Sequence, residues 1–343
     1  MNPKLMWKNL ILLTSLSVAL AAQQGPRTHV VKTGPDTVQW GYYDASKKPV
    51  AVIDSGDIVQ IESPLAASRE MEAFGLADRV TPEMRALETG VASSDKGPGA
   101  NILVGPIYVN GAEPGDVLEV KILALEPLDN YAVNLFIQGH GALGDDLPRM
   151  RIKTIPLDKA RNVAVFAKGI ELPIKPFFGT MAVSPPVMMG RISDSPPDYF
   201  AGNLDNKDLT AGTTLYIPVQ VKGALFCAGD GHAGQGDGEV DGTAIEIALR
   251  GKFQMTVRKD LHYLWPRAET PDYYMTMGFS PDLNRAAVQA VREMVDFLSA
   301  KFGLSQEDAY MLTSIGADLH VTQVVDGTKG IHAMIPKSIF RQQ

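Results

Sequence analysis

Apolar residues along most of this chain recur at a spacing of two. In EPGDVLEVKIL (residues 113–123) Val117, Glu119 and Lys121 alternate with Leu118, Val120 and Ile122, the pattern of a half-buried strand. In VAVIDSGDIVQIES (50–63) two apolar runs flank Asp54-Ser55-Gly56-Asp57, which predicts strand, turn, strand. A third start of this kind, AGTTLYIPV, covers 211–219. These segments are too far apart and too dissimilar to be a solenoid repeat. Three stretches interrupt the alternation: 89–101 (TGVASSDKGPGAN), 139–150 (GHGALGDDLPRM) and the proline-rich 184–203. Loops of that length inside a compact domain are usually functional.

Near the end the period changes. Val288, Val291, Val295, Leu298 and Phe302 are spaced three, four, three and four, one face of an amphipathic helix. Ser280-Pro281 predicts its cap and first position, and Gly303 its stop. Ser305 with Asp308 predicts the capped start of a second short helix ending near Gly316. Strands around 319–325 and 331–335 then close the chain. The fold class expected is mainly β, a sandwich or jelly-roll, with a small α/β C-terminal part.

Composition narrows the function. The 343 residues include 32 glycines and 23 prolines, which favour many turns between short strands. With a net charge of −7 and no Lys/Arg block, nucleic acid is not an expected partner. Lys4 and Lys8 precede an apolar run, Leu10–Leu20, followed by Ala19-Leu20-Ala21 as a small-x-small site. Residues 1–22 therefore read as a secretory signal cleaved near Ala21/Ala22, with a membrane-tethering helix as the alternative. The expected product is a secreted or periplasmic chain, 23–343, in a single domain that leaves the membrane after cleavage. Cys227 is the only cysteine, so no internal disulfide forms. It ends the apolar run ALFC, and a buried, inert thiol is expected.

The densest chemistry is in GDGHAGQGDGEVDG (229–242), with six glycines, four acids and one histidine. Asp230 and His232 are two apart, which in extended chain points both to one face. A carboxylate and an imidazole sharing a face suit a divalent ion such as zinc or iron. Glu239 follows seven residues later and can fold back towards the same centre. Three readings stay open for this stretch alone: a calcium loop, a glycine-rich β-connection with solvated acids, and a catalytic metal or general-base centre. An EF-hand is excluded, because Ala248 stands at its twelfth position and a strand follows. Upstream, Asn203 and Asp205 are again two apart, in a cluster that also reads as an Asx-type turn. His140, in a glycine-flanked loop, and then His29 are the next candidates. His262, His320 and His332 are expected as surface or satisfied core residues. No G-x-S-x-G elbow and no H-E-x-x-H helix occurs.

GPIYVNGAEPGDVLEVKILALEP (105–127), GNLDNKDLTAGTTLYIPV (202–219) and GALFCAGDGHAGQGDGEVDGTAIE (223–246) resemble the acetamidase/formamidase family. KPVAVIDSGDIVQIES, PFFGTMAVSPP and GIHAMIPK fit the same pattern, so the resemblance spans roughly 37–337. It implies a jelly-roll-like sandwich, a homo-oligomer, and hydrolysis of short linear amides to carboxylate and ammonia. The family motif maps onto Asn203, Asp205, Asp230, His232 and Glu239. Amide hydrolysis requires an activated water, a stabilised oxyanion and a protonated leaving nitrogen. The roles this implies are a divalent metal, zinc first and iron or calcium otherwise, on Asp230, His232 and Asp205; Glu239 as general base; and Asn203 holding the amide. Cys227 and Asp241 depart from the small residues expected there, and a secretion signal is uncommon for intracellular nitrogen scavenging. For a larger or cyclic amide, Phe177, Phe178, Met188 and Met189 are candidate wall residues. The rival reading is a secreted β-sandwich binding module with a structural calcium and a sugar or small polar ligand.

Overall fold

The computed structural model describes residues 25–147 and 149–341. The expected signal segment, 1–22, lies outside the described residues. Among those described, one sheet holds nine strands and a second eleven, most of them paired antiparallel. The first sheet runs in the order Thr28–Val31, Ile58–Ser63, Leu249–Arg258, Val117–Pro127, Thr214–Pro218, Arg267–Glu269, Tyr273–Ser280, Lys329–Pro336, Asp318–Gln323. At the middle of the second sheet lies Phe226–His232, flanked by Phe177–Ala182, Ile102–Val109 and Glu246–Ile247. The sheets pack face to face over one apolar core, where Phe253 of the first meets Phe178 and Phe226 of the second. This is the expected sandwich with a helical C-terminal part.

The strand–turn–strand at 50–63 has a use the pattern alone does not reveal. Ala51–Ile53 joins the second sheet, parallel to Ile102–Val109, while Ile58–Ser63 joins the first. The turn between them therefore carries the chain across the sandwich. The strand Val117–Pro127 is less one-sided than its alternation predicts. Glu119 is buried and paired with Arg258 at 2.6 Å, because the strand is interior to its sheet and has neighbours on both edges.

The long helix spans Leu283–Phe302 and stops at Gly303 in the left-handed conformation. Two details differ from expectation. Its N-cap is Asp282, whose carboxylate accepts from the Arg285 backbone N–H at 2.9 Å, not Ser280 with Pro281. Ser280 instead accepts from the Asp282 N–H. The buried seam also runs through Ala286, Ala290, Met294, Val295 and Leu298, leaving Val288 55% exposed. The reason is close approach: a Cβ on Gly278 would strike the backbone of Ala286 and Ala290. The helix thus sits down on its alanines and turns Val288 outward. The second helix, Gln306–Gly316, starts on the Ser305 cap as predicted. The first interrupting stretch is shorter than expected, since Pro82–Gly90 is helical. Likewise Ala201–Asn203 is a short strand at the end of the proline-rich segment.

Gly278→Val should therefore lower stability by about 1–3 kcal/mol through overpacking against main chain that cannot yield. The denaturant midpoint checks it, and an unchanged midpoint would mean that the helix does not depend on this approach.

Candidate active site

Phe226–His232 delivers the histidine. In register, Phe177 stands opposite His232 on one side and Glu246 on the other. Phe177 props the imidazole edge-on, with ring centroids 4.9 Å apart. Glu246 Oε1 and Asp230 Oδ1 each lie 3.3 Å from His232 Nε2. Asp230 and His232 do converge, but not by extended-strand alternation. Asp230 has φ 63°, and Asp205 and Glu239 have φ 47° and 44°. Non-glycine residues seldom occupy this left-handed region, at a cost of about 1–3 kcal/mol each. Three carboxylates are thus turned inward by left-handed backbone, which aspartate tolerates better than glutamate. Room for them is made by Gly179, whose Cβ would collide with Asp230 Oδ2, Asp205 Oδ1 and His232 Cε1.

Two amide side chains fix the orientation of the reactive groups. Gln235 Nε2 donates to the Asp205 carbonyl at 2.8 Å, which leaves its Oε1 as an acceptor 3.1 Å from His232 Nδ1. Since Oε1 only accepts, Nδ1 carries the proton, and Nε2 is the nitrogen presented to the carboxylates. Asn203 Oδ1 accepts from Asn101 Nδ2 at 2.9 Å and from the Thr180 hydroxyl. Its NH2 is therefore the donating end, held against Asp326, and the residue lines the adjoining cavity.

The carboxylates are deeply buried. Asp205 and Glu239 are 1% and 7% exposed. The Asp205 oxygens have no hydrogen-bond donor and stand among Glu239, Asp326 and the His232 ring. Burial pushes the Asp205 carboxyl well above its usual range, and the charges of Glu239, Asp326 and Asp230 push it further. Glu239 is raised in the same way, by burial and then by Asp326, Glu246 and Asp230. Burial and the charge of Asp230 bring Asp326 to about 7. For His232, burial opposes the charged form, but Glu246 and Asp230 outweigh it and its pKa rises. Carboxyls crowded against one another, beside an imidazole with one nitrogen held out to them, form a donor set that fits a divalent cation. Two groups of possible ligands share the histidine: Asp205, His232 and Glu239, and Asp230, His232 and Glu246. Of the expected ligands, Asp205 and Asp230 both neighbour His232 but fall in different groups; Glu239, expected as the base, stands in the first group, and Glu246 is an addition to the second.

Above this centre opens a cavity of about 470 Å³. All three interrupting stretches reach it: Gly99 and Asn101 from the first, His140 and Gly141 from the second, Ser195 and Asn203 from the third. His140 is exposed on this cavity wall. Asp241 also lines the cavity, but its carboxylate is engaged by the Thr243 N–H and Asn134 Nδ2. His29 pairs with Asp57 at 2.8 Å, away from the cavity lining. His320 and His332 stack face to face with planes 9° apart. Both nitrogens of His332 are already bonded, to Thr322 and Asp208, so these two histidines belong to a satisfied network. Cys227 is buried, and burial raises its thiol far above the reactive range. Of the proposed wall residues, Phe177 and Phe178 are core and Met188 is 93% exposed. None of these four lines the cavity.

Glu246, Asp326, Gln235, Asn101 and Thr180 are functional neighbours that the sequence does not announce. Glu246 is disguised as the outward position of an alternating strand. Asp326 sits in an Asp-Gly hairpin turn, where an acid is ordinary turn chemistry.

Comparison with known proteins identifies the family. The profile of the Acetamidase/Formamidase family matches residues 99–195 and 192–342. A formamidase from Methylophilus methylotrophus is 30% identical over 313 residues, covering 69% of this chain and 76% of its own. An acetamidase from Mycolicibacterium smegmatis is 26% identical over 199 residues, 41% of this chain and 49% of its own. Among solved structures, an acetamidase from Bacillus halodurans superposes with a TM-score of 0.78 at 33% identity, over 91% of this chain and 98% of that one. One from Yersinia enterocolitica gives 0.80 at 29% identity, over 94% and 96%. This chain belongs to the acetamidase/formamidase family, hydrolases of the carbon–nitrogen bond in linear amides.

Proposed function

We propose that the protein hydrolyses primary amides to a carboxylate and ammonia, with water as the nucleophile. The observation that carries this reading is the imidazole Nε2 turned towards buried carboxyls beneath a cavity on whose lining the Asn203 side chain stands. A divalent cation, zinc in first place and iron or calcium as alternatives, would be held by Asp205, Asp230 and His232. When bound, such an ion polarises a carbonyl and makes water more acidic. Gln235 keeps the imidazole in the tautomer that offers Nε2. Asn203 donates from Nδ2 to the amide oxygen, since its own oxygen is already doubly bonded. Glu239, whose carboxyl burial and neighbouring acids hold well above its usual range, takes a proton from water and returns it to the leaving nitrogen, a role worth about 10²–10⁴ in rate.

Two further readings come from sequence and surface. The apolar run at Leu10–Leu20 with its Ala-Leu-Ala site supports export and removal of the leader, so that the mature enzyme works outside the cytoplasm. Tyr310, Met311 and Ile315 are 62%, 65% and 85% exposed on one short helix. An apolar face of that kind supports association into a homo-oligomer.

Glu239→Gln should cut kcat by roughly 10²–10⁴ while leaving the metal content of the purified protein intact. Loss of metal together with activity would make Glu239 a ligand instead of the base, and retained turnover would remove it from the chemistry. Purified protein should release ammonia from a panel of primary amides, lose that activity with a chelator, and regain it with one added divalent ion. Binding of a sugar or polar ligand with no ammonia from any amide would favour the binding-module reading. Mass spectrometry of the exported protein should find a chain shortened by about 22 residues and, under native conditions, an integral multiple of that mass. A full-length or strictly monomeric species would overturn the corresponding reading.

A further inference from the structure

The cavity is far larger than the smallest amides need. At a water's share of about 30 Å³ per heavy atom, acetamide fills roughly 120 Å³, about a quarter of the 470 Å³ present. The remainder falls among sites that enclose larger organic ligands, about 300–1,000 Å³. Its lining is also divided. The reactive carboxyls gather at one side, while Leu65, Ala66, Ala67, Leu135, Ile137 and Val325 supply an apolar wall. That wall is braced. Leu65, Ala67 and Leu135 belong to a separate buried cluster with Met71, Val80 and Met84, so the segment around the helices Ser68–Ala73 and Pro82–Gly90 has its own small core.

Charge selects as well. Glu70 and Asp241 stand on the lining in addition to the carboxyls of the centre, and no lysine or arginine among the described residues lines it. A divalent cation at the centre would offset the inner acids, but Glu70 and Asp241 would still face a substrate that carried its own carboxylate.

From this we infer that the acyl side of the site takes an uncharged, apolar group several carbons longer than acetyl: the preferred substrates are neutral mid-length or aryl primary amides, and amides bearing a carboxylate are rejected. This rests on the amide-hydrolase reading above. The scissile amide lies at the carboxyls and Asn203, the acyl chain runs along the Leu65–Ala67 and Leu135 wall, and the mouth lies towards Ile137, which is 38% exposed.

The test is a kcat/KM series on the purified, metal-loaded enzyme with formamide, acetamide, butyramide, pentanamide, hexanamide, benzamide and succinamate. Each buried methylene is worth about fourfold in affinity, so hexanamide should exceed acetamide by ~10-fold or more. Succinamate should fall ~10-fold or more below pentanamide through like-charge repulsion. Ala66→Trp, at an exposed position where folding is not at stake, should lower the hexanamide-to-acetamide ratio by a similar factor. A maximum at formamide or acetamide, or a ratio indifferent to Ala66→Trp, would overturn the inference and leave the amidase reading standing. No turnover of any amide would overturn both.

Discussion

Like charges gathered out of water are the constraint on which this structure turns. Asp205, Asp230, Glu239, Glu246 and Asp326 surround one imidazole. At 4 Å, two carboxylates in a partly screened interior repel by about 4 kcal/mol. Several such contacts rival the whole stability of a domain, about 5–15 kcal/mol. The cluster is tolerable only with protons or a cation among its oxygens, and only if the frame around it cannot splay. A centre that gathers protons or a cation beside a cavity is suited to polarising a neutral bond such as an amide.

The frame is rigid because the acids are seated on a sheet and not on its fringe. Phe226–His232 has partners on both edges, so the imidazole cannot retreat from Glu246 without breaking a ladder. The left-handed residues add strain, and the core between the two sheets holds it in place. Asn203 and Gln235 perform matching tasks, each spending one end of its amide on protein so that the other has a single possible role. Order of this kind is fixed before substrate arrives, which is where electrostatic catalysis gains most.

Much of this was legible in the sequence, and the remainder was hidden for identifiable reasons. Alternation disclosed the strands at 50–63 and 117–127, and a change of period disclosed the long helix. The glycine-rich acidic run singled out Asp230, His232 and Glu239 but by itself left a solvated β-connection open, and the family resemblance is what assigned them to a site. The helix face was misjudged because periodicity weights valines over alanines, whereas packing against Gly278 rewards the smaller side chain. Glu246 and Asp326 were invisible because each satisfies a local rule, strand alternation in one case and turn chemistry in the other. Their function arises only from register across the sheet and from the return of the last hairpin. The convergence of three separate loops on one cavity is likewise a property of topology, beyond the reach of any local pattern.

The distribution of the acids along the chain has a thermodynamic consequence. Asp205, the segment from Asp230 to Glu246, and Asp326 come from three regions that meet only when both the central sheet and the final hairpin are formed. No partly folded chain can present the full donor set, so a cation that binds there binds the native state almost alone. Its binding free energy is then added to folding, while the repulsion it relieves would otherwise be subtracted. The same charges thus oppose folding of the bare chain and would favour it once paired, and a bound cation would tie the integrity of the last hairpin to a site whose histidine lies roughly a hundred residues earlier in sequence.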